Sequence, residues 1–222
     1  MKITTSIFLA LSILVASPIS QVTEARERTT APPIRVAVSV FNDAAVPASV
    51  LAEAQERATA VMNQAGVSLT WLDCGTPGSR APESGCSAIA FPQHFSVRLV
   101  SKATPSKADI FGQSFQDEAG EGNYTVVYYP GLAGSKVAET LHTGKLLGLV
   151  VAHEVGHLLL GRNSHSADGL MAAVWQMSEL RQATQGNLFF SHDQSDRMRA
   201  RYFAASARLV KVSEPLNASS GK

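Results

Sequence analysis

Hydrophobic positions along this chain change period several times, and each change marks an element. Ile34–Phe41 alternates with period two, the pattern of a strand with one buried face. Val50, Leu51, Ala54, Ala58, Val61 and Met62 then recur at helical spacing. Pro47 suits the first turn of that helix and Gly66 closes it. Val67–Trp71 reads as a second strand, Phe95–Val100 as a third and Tyr124–Tyr129 as a fifth. Between them Ile110–Phe115 makes a short fourth, bounded by the acidic, glycine-containing turn region Asp117–Gly122. A helix beginning between Ser135 and Thr143 carries a long apolar run, Leu146–Ala152 and Leu158–Leu160. Ser191-His192-Asp193-Gln194 has the form of a capping box and opens a last helix. Its first turn holds Asp193 and Asp196, with Arg199 and Arg201 later, matching the helix dipole; Met198, Tyr202 and Phe203 are its candidates for the core. The order predicts an α/β (α+β) domain.

The two ends of the chain do not follow these patterns. Lys2 followed by the apolar stretch Ile7–Ala16 suits a secretory signal and is too short to span a bilayer. Residues 1–20 are therefore expected to be a signal peptide and 21–33 a flexible segment. Residues 34–212 would form a single domain, and 213–222 a flexible tail. Export implies a secreted or periplasmic protein. Hydrophobic content of 45%, charged content of 17% and a net charge of +1 give no reason to expect nucleic acid as a partner, nor a membrane once the signal is removed. A monomer is expected. The two cysteines, Cys74 and Cys86, flank a segment rich in glycine and proline, and an oxidising compartment would pair them as a disulfide.

Candidate chemistry interrupts the apolar helix at three positions. His153-Glu154-Val155-Gly156-His157 reads H-E-x-x-H, and residues four apart lie on one helical face, so both imidazoles can bind one metal ion. Glu154 stands about 100° round the helix, placed to act as a base on a metal-activated water rather than as a ligand. Gly161 can end the helix in a left-handed conformation, and the returning chain offers His165 as a third ligand. Glu179, or water alone, is the alternative in that third place.

These residues resemble the metzincin zinc peptidases, whose members share H-E-x-x-H-x-x-G-x-x-H followed by a methionine-containing turn. The segment from His165 to Met171 looks most like their matrixin branch, with Met171 as the turn methionine. The match departs from the family pattern by one extra residue on each side of Gly161, so that Asn163 stands where the family's third ligand would be. No tyrosine follows Met171 closely, unlike the astacin and serralysin branches. The resemblance implies a mixed, twisted sheet of about five strands with two main helices. The zinc helix would lie at the cleft, followed by a small C-terminal helical subdomain.

It also implies one catalytic Zn2+, Glu154 as general base and a peptide or protein substrate. Phe111, Gly112, Gln113 and Ser114 would form the cleft's upper rim, an exposed edge strand to which an extended peptide could add. Trp175 and Leu180 are candidates for an apolar pocket beside the metal. Cys74-Gly75-Thr76-Pro77 faintly resembles the matrixin cysteine switch, a rival to the disulfide. Structural calcium is not supported, and Asp117–Glu121 reads as a solvated turn. The leading expectation is a secreted zinc endopeptidase. A narrow-specificity peptidase shares its chemistry, and a non-catalytic binding protein of the same fold is the rival from another class. Glu154 argues against that last reading, because a structural metal site has no use for it.

Overall fold

The computed structural model describes residues 33–75, 85–86, 90–102 and 110–213. The expected signal peptide and nearly all of the segment after it lie outside these residues, as does the tail beyond Ser213. Elements run β1 (Ile34–Asn42), α1 (Ala48–Gln64), β2 (Val67–Asp73), β3 (His94–Val100), β4 (Gly112–Phe115) and β5 (Tyr124–Tyr128). Helices α2 (Tyr129–Ala133), α3 (Lys136–Leu141), α4 (Thr143–Leu160), α5 (Met177–Thr184) and α6 (His192–Ser213) follow. The sheet is mixed, in the order β2-β1-β3-β5-β4; β4 alone runs antiparallel, at the edge.

Period two decides which way the sheet faces. Ile34, Val36, Val38 and Val40 are all buried, whereas Arg35 is exposed and Ala37 and Phe41 half-buried, so one face meets the helices. Val67, Phe95, Val97, Leu99 and Val127 extend the same buried surface along neighbouring strands. Helix α1 presents Ala54, Ala58, Val61 and Met62 to this core. Helix α4 is buried nearly all round, which is why its sequence is apolar without a polar face. Its approach to α1 depends on Gly148: a Cβ there would stand 2.5 Å from the carbonyl oxygen of Ala54.

Several boundaries follow local chemistry. The α1 helix ends in the turn Ala65-Gly66, with Gly66 at φ +75°, a value open to glycine at little cost. Ser191 and Gln194 form the reciprocal cap at the start of α6, with Ser191 N–H donating to Gln194 Oε1 and Gln194 N–H to Ser191 Oγ. Cys74 and Cys86 are joined as a disulfide, their Cα atoms 5.6 Å apart. The stretch before α4 folds into two short helices the sequence pattern does not suggest. Helix α5 is likewise absent from that pattern. The acidic turn is tied back on itself: Glu121 N–H donates to Asp117 Oδ1 at 2.9 Å, and the Glu121 carboxylate pairs with Arg208 of α6. No helix among the described residues is long and apolar enough to cross a membrane.

Candidate metal centre

Helix α4 delivers the two imidazoles of His153 and His157 to one face, with their Nε2 atoms 3.0 Å apart. The helix stops at Gly161, φ +84°, where Gly161 N–H still bonds to the carbonyl of His157. Arg201 of α6 fastens this end by donating from Nε to Leu159 O and from Nη2 to Gly120 O. The chain then turns through Asn163, itself at φ +54°, and brings His165 back over the helix. The ring centroid of His165 lies 4.7 Å from that of His157 and 5.5 Å from that of His153. One nitrogen from each of the three rings falls within 4.8 Å of the others.

The turn after Gly161 thus brings His165 beside the other two imidazoles. Glu179, the alternative, lies elsewhere: its carboxylate accepts from Gln176 N–H and Ser178 Oγ in the capping box of α5. The Ser178 hydroxyl foremost, with backbone donors from Gln176 and Gly169, holds it below the usual carboxylate range. Met171 is fully buried beneath α4, so close that a Cβ on Gly156 would come within 2.9 Å of its Sδ. His142 and His192 are exposed, and buried His94 meets Ser39 Oγ at 2.7 Å in the sheet; none joins the cluster.

Each helical histidine is oriented from behind. His153 Nδ1 donates to the carbonyl of Leu170 at 2.8 Å, an acceptor shared with Trp175 Nε1 at 3.0 Å. His157 Nδ1 lies 2.7 Å from Ser164 Oγ. Burial lowers the His153 imidazole to about 4, against the hydrogen bond to Leu170. Burial likewise lowers His157 to about 3, with the neighbouring rings of His153 and His165 adding to it. Both are thus neutral at physiological pH, the form that binds a metal.

The donor set fits zinc on three grounds. It offers three imidazoles. Both helical rings are held through Nδ1, which leaves Nε2 for the ion. The Nε2 separation of 3.0 Å is close to the roughly 3.4 Å expected between two nitrogens on one tetrahedral zinc.

Glu154 is 4% exposed and turns toward the edge strand rather than the histidines. Ser114 Oγ lies 2.6 Å from its Oε2 and 2.8 Å from its backbone oxygen. Burial pushes the carboxyl up to about 7, with hydrogen bonds from Ser114 and Thr125 pulling the other way. Three alternate residues of this strand and its continuation face α4. Gly112 gives room to the Glu154 side chain, Ser114 holds the carboxylate, and the Gln116 amide donates to the carbonyl of His157. The exposed residues between them are Gln113 and Phe115.

All of this opens into a cleft of about 640 Å³. Its lining includes the apolar side chains of Val137, Val150, Trp175 and Leu180, together with Phe111, Gly112, Gln113 and Ser114. Sequence reasoning missed Ser164, Gln116 and the carbonyl of Leu170. A lone serine or glutamine in a loop carries no signal, and a backbone carbonyl carries none at all.

No protein-family model matches this sequence, and no curated protein matches it. Among solved structures it is similar to archaemetzincin from Methanopyrus kandleri, at 15% identity over 75% of this chain and 95% of that one, with a TM-score of 0.46. A zinc-dependent peptidase from Methanocorpusculum labreanum matches at 13% identity over 72% and 99% of the two chains, TM-score 0.48. Metalloproteinase-II from Bacteroides fragilis matches at 13% identity over 76% of this chain and 53% of its own, TM-score 0.45. Values at this level mark a likeness of general outline and say nothing of which side chains do what.

Proposed function

We propose that this protein is a secreted or periplasmic zinc endopeptidase in which His153, His157 and His165 hold one ion and Glu154 is the general base. One juxtaposition carries the reading. Three imidazole nitrogens lie within 4.8 Å of one another, and the buried carboxylate of Glu154, the residue after His153, lines the same open cleft. When bound there, zinc supplies polarisation of the scissile carbonyl and acidification of a water molecule.

The chain's own residues supply the rest. A carboxyl raised to about 7 takes up and returns a proton readily near neutral pH, as a base that must later act as an acid requires. Ser114 engages Oε2 and so fixes which way the carboxylate faces. Strand β4 pairs only with β5 among the described residues, so its other edge can take an extended peptide by strand addition. Val137, Trp175 and Leu180 would then receive an apolar side chain of that peptide. The resemblance of the segment from His165 to Met171 supports a reading nearest the matrixin branch of the metzincins. A monomer acting on a peptide or protein completes the picture.

The test is digestion of a diverse peptide library by the zinc-loaded protein beside its Glu154→Gln variant. Cuts made by the wild type alone are expected. A folded, zinc-loaded wild type that makes none, or a variant that cuts equally well, would sink the proposal.

A further inference from the structure

Gln116 follows the last residue of β4, and its side chain reaches the end of the metal helix. A backbone carbonyl can only accept, so the Gln116 amide N–H donates to His157 O. That carbonyl already accepts Gly161 N–H at 2.9 Å, and Gln116 takes its second lone pair. The helix is therefore satisfied there without Gln116, and the bond does something other than cap it. Ser114, two residues earlier, makes the comparable contact with Glu154 O at 2.8 Å. Its hydroxyl has one hydrogen, however, and Glu154 Oε2 at 2.6 Å and Thr125 Oγ1 at 3.3 Å compete for it. Whenever the carboxylate holds that hydrogen, Gln116 still ties the strand to the helix backbone.

What hangs on that tie is the free edge of the sheet. Tyr128 N–H donates to Phe111 O at 2.9 Å, so these two residues are a bonded pair on the β4–β5 ladder. Alternation along the ladder then makes Gln113 and Phe115 face β5 and turns the backbone groups of Gly112 and Ser114 outward. Those outward groups are the ones an extended peptide would pair with. The height of such a peptide over the histidines is thus the height of β4 over α4. A second cavity of about 410 Å³, lined also by Asp117, Glu118, Arg162 and Asn163, shares Ser114 and Gln116 with the cleft. Gln116 accordingly stands where the two cavities join.

We propose that Gln116 is a positioning residue: its bond to His157 O fixes how far the edge strand stands from the metal helix, and so sets a bound peptide over the three histidines. The proposal rests on the peptidase reading for its kinetic test but not for its structural one. The variants are Gln116→Ala, Gln116→Glu, which keeps the length without the donor, and Gln116→Lys, which restores a donor. Each is assayed by kinetics on a long peptide that the wild type cuts, by competition with a chromophoric chelator for zinc, and by hydrogen exchange at the Gln113 and Phe115 amides. Alanine and glutamate are expected to lower kcat about 10- to 100-fold, as a displacement of about 1 Å does, with KM and zinc affinity held. Their Gln113 and Phe115 amides are expected to exchange roughly tenfold faster, the equivalent of one lost hydrogen bond. Lysine is expected to recover both. A raised KM at unchanged kcat would make Gln116 a peptide contact only, and a zinc affinity that falls in step with kcat would put its action on His157; either overturns the proposal. Unchanged exchange in the alanine variant overturns it as well. The glutamate and lysine pair carries the comparison if the alanine variant does not fold. A wild type that cuts no peptide refutes the peptidase reading, and the exchange comparison, which needs no substrate, then decides whether Gln116 holds the strand.

Discussion

Gly112→Ala isolates what the edge strand does for the carboxylate. A Cβ built on Gly112 would stand 2.5 Å from Glu154 Oε1, 2.7 Å from its Cγ and 2.8 Å from its Cδ. Ordinary contact begins near 3.4 Å, so the glutamate side chain must retreat by about 1 Å, and Ser114 cannot follow because it is fixed in the same strand. A displacement of that size at a reacting group costs on the order of 100-fold in rate. Nothing else should suffer. Gly112 does not have a positive φ and pairs with Val127 in the ladder, so alanine fits its backbone and is favoured over glycine there by about 0.5–1 kcal/mol. The assay is kcat/KM on a peptide identified by the library digestion, with zinc content and Tm measured on the same preparation. Activity about 100-fold down, with zinc retained and Tm unchanged or slightly raised, is the expected triad. Full activity at full zinc occupancy would show that the position of Glu154 is not set from Gly112.

Three further outcomes follow from the same contacts. Glu154 titrates near 7 when folded against an ordinary 4.5, so its ionisation destabilises the metal-free fold as pH rises from 4.5 through 7. Glu154→Gln, assayed with chelator by thermal denaturation, should therefore match wild type near pH 4 and exceed it by up to about 3 kcal/mol above pH 8; a constant difference across that range would contradict the burial argument. His165→Ala should weaken zinc binding sharply in chelator competition, whereas Glu179→Gln should leave it nearly unchanged and lower Tm through the α5 cap; the reverse pattern would make Glu179 the ligand. Gly148→Ala puts a Cβ 2.5 Å from Ala54 O and should lower Tm despite the roughly 1 kcal/mol helix preference for alanine, while Gly131→Ala, with nothing within 4 Å, should not; equal effects would mean that α1 and α4 are not in close contact there.

How much of this was legible in the sequence depends on whether the information was local. Period two in Ile34–Phe41 and the helical stripe from Val50 to Met62 were sufficient for β1 and α1, because each buries one face against a single core. The capping box at Ser191 was readable for the same reason: both partners lie within four residues. Helices α2, α3 and α5 were not readable, since each is a few residues long and held by tertiary contact rather than by pattern. Within the site, His153 and His157 were fixed by helix geometry alone. His165 required knowing how far a turn reaches, and that distance depends on Gly161 and Asn163 both adopting positive φ. Glu179 looked like a candidate ligand because a carboxylate shows its chemistry in the sequence but not its partners. Its engagement with Gln176 and Ser178 appears only once α5 exists.

The same distinction explains why the centre can exist inside so apolar a helix. Burying two imidazoles and a carboxylate among leucines and valines is costly unless each polar atom finds a partner. Outside the contact between the two rings, helix α4 does not supply those partners. They come instead from segments on either side of it. Ser114 reaches in from β4, Ser164 from the turn after the helix, and the carbonyl of Leu170 from the segment before Met171, while Gln116 donates to the backbone carbonyl of His157. Two of these three partners, Ser114 and Ser164, are neutral side chains that would be unremarkable on a surface. On the proposed function, the motif specifies which atoms do the chemistry, and the edge strand and the returning turn specify where they point. Substitutions at Ser114, Ser164 or Gln116 should accordingly alter the centre while leaving the core packing intact, in contrast to Gly148, where the packing itself is at stake.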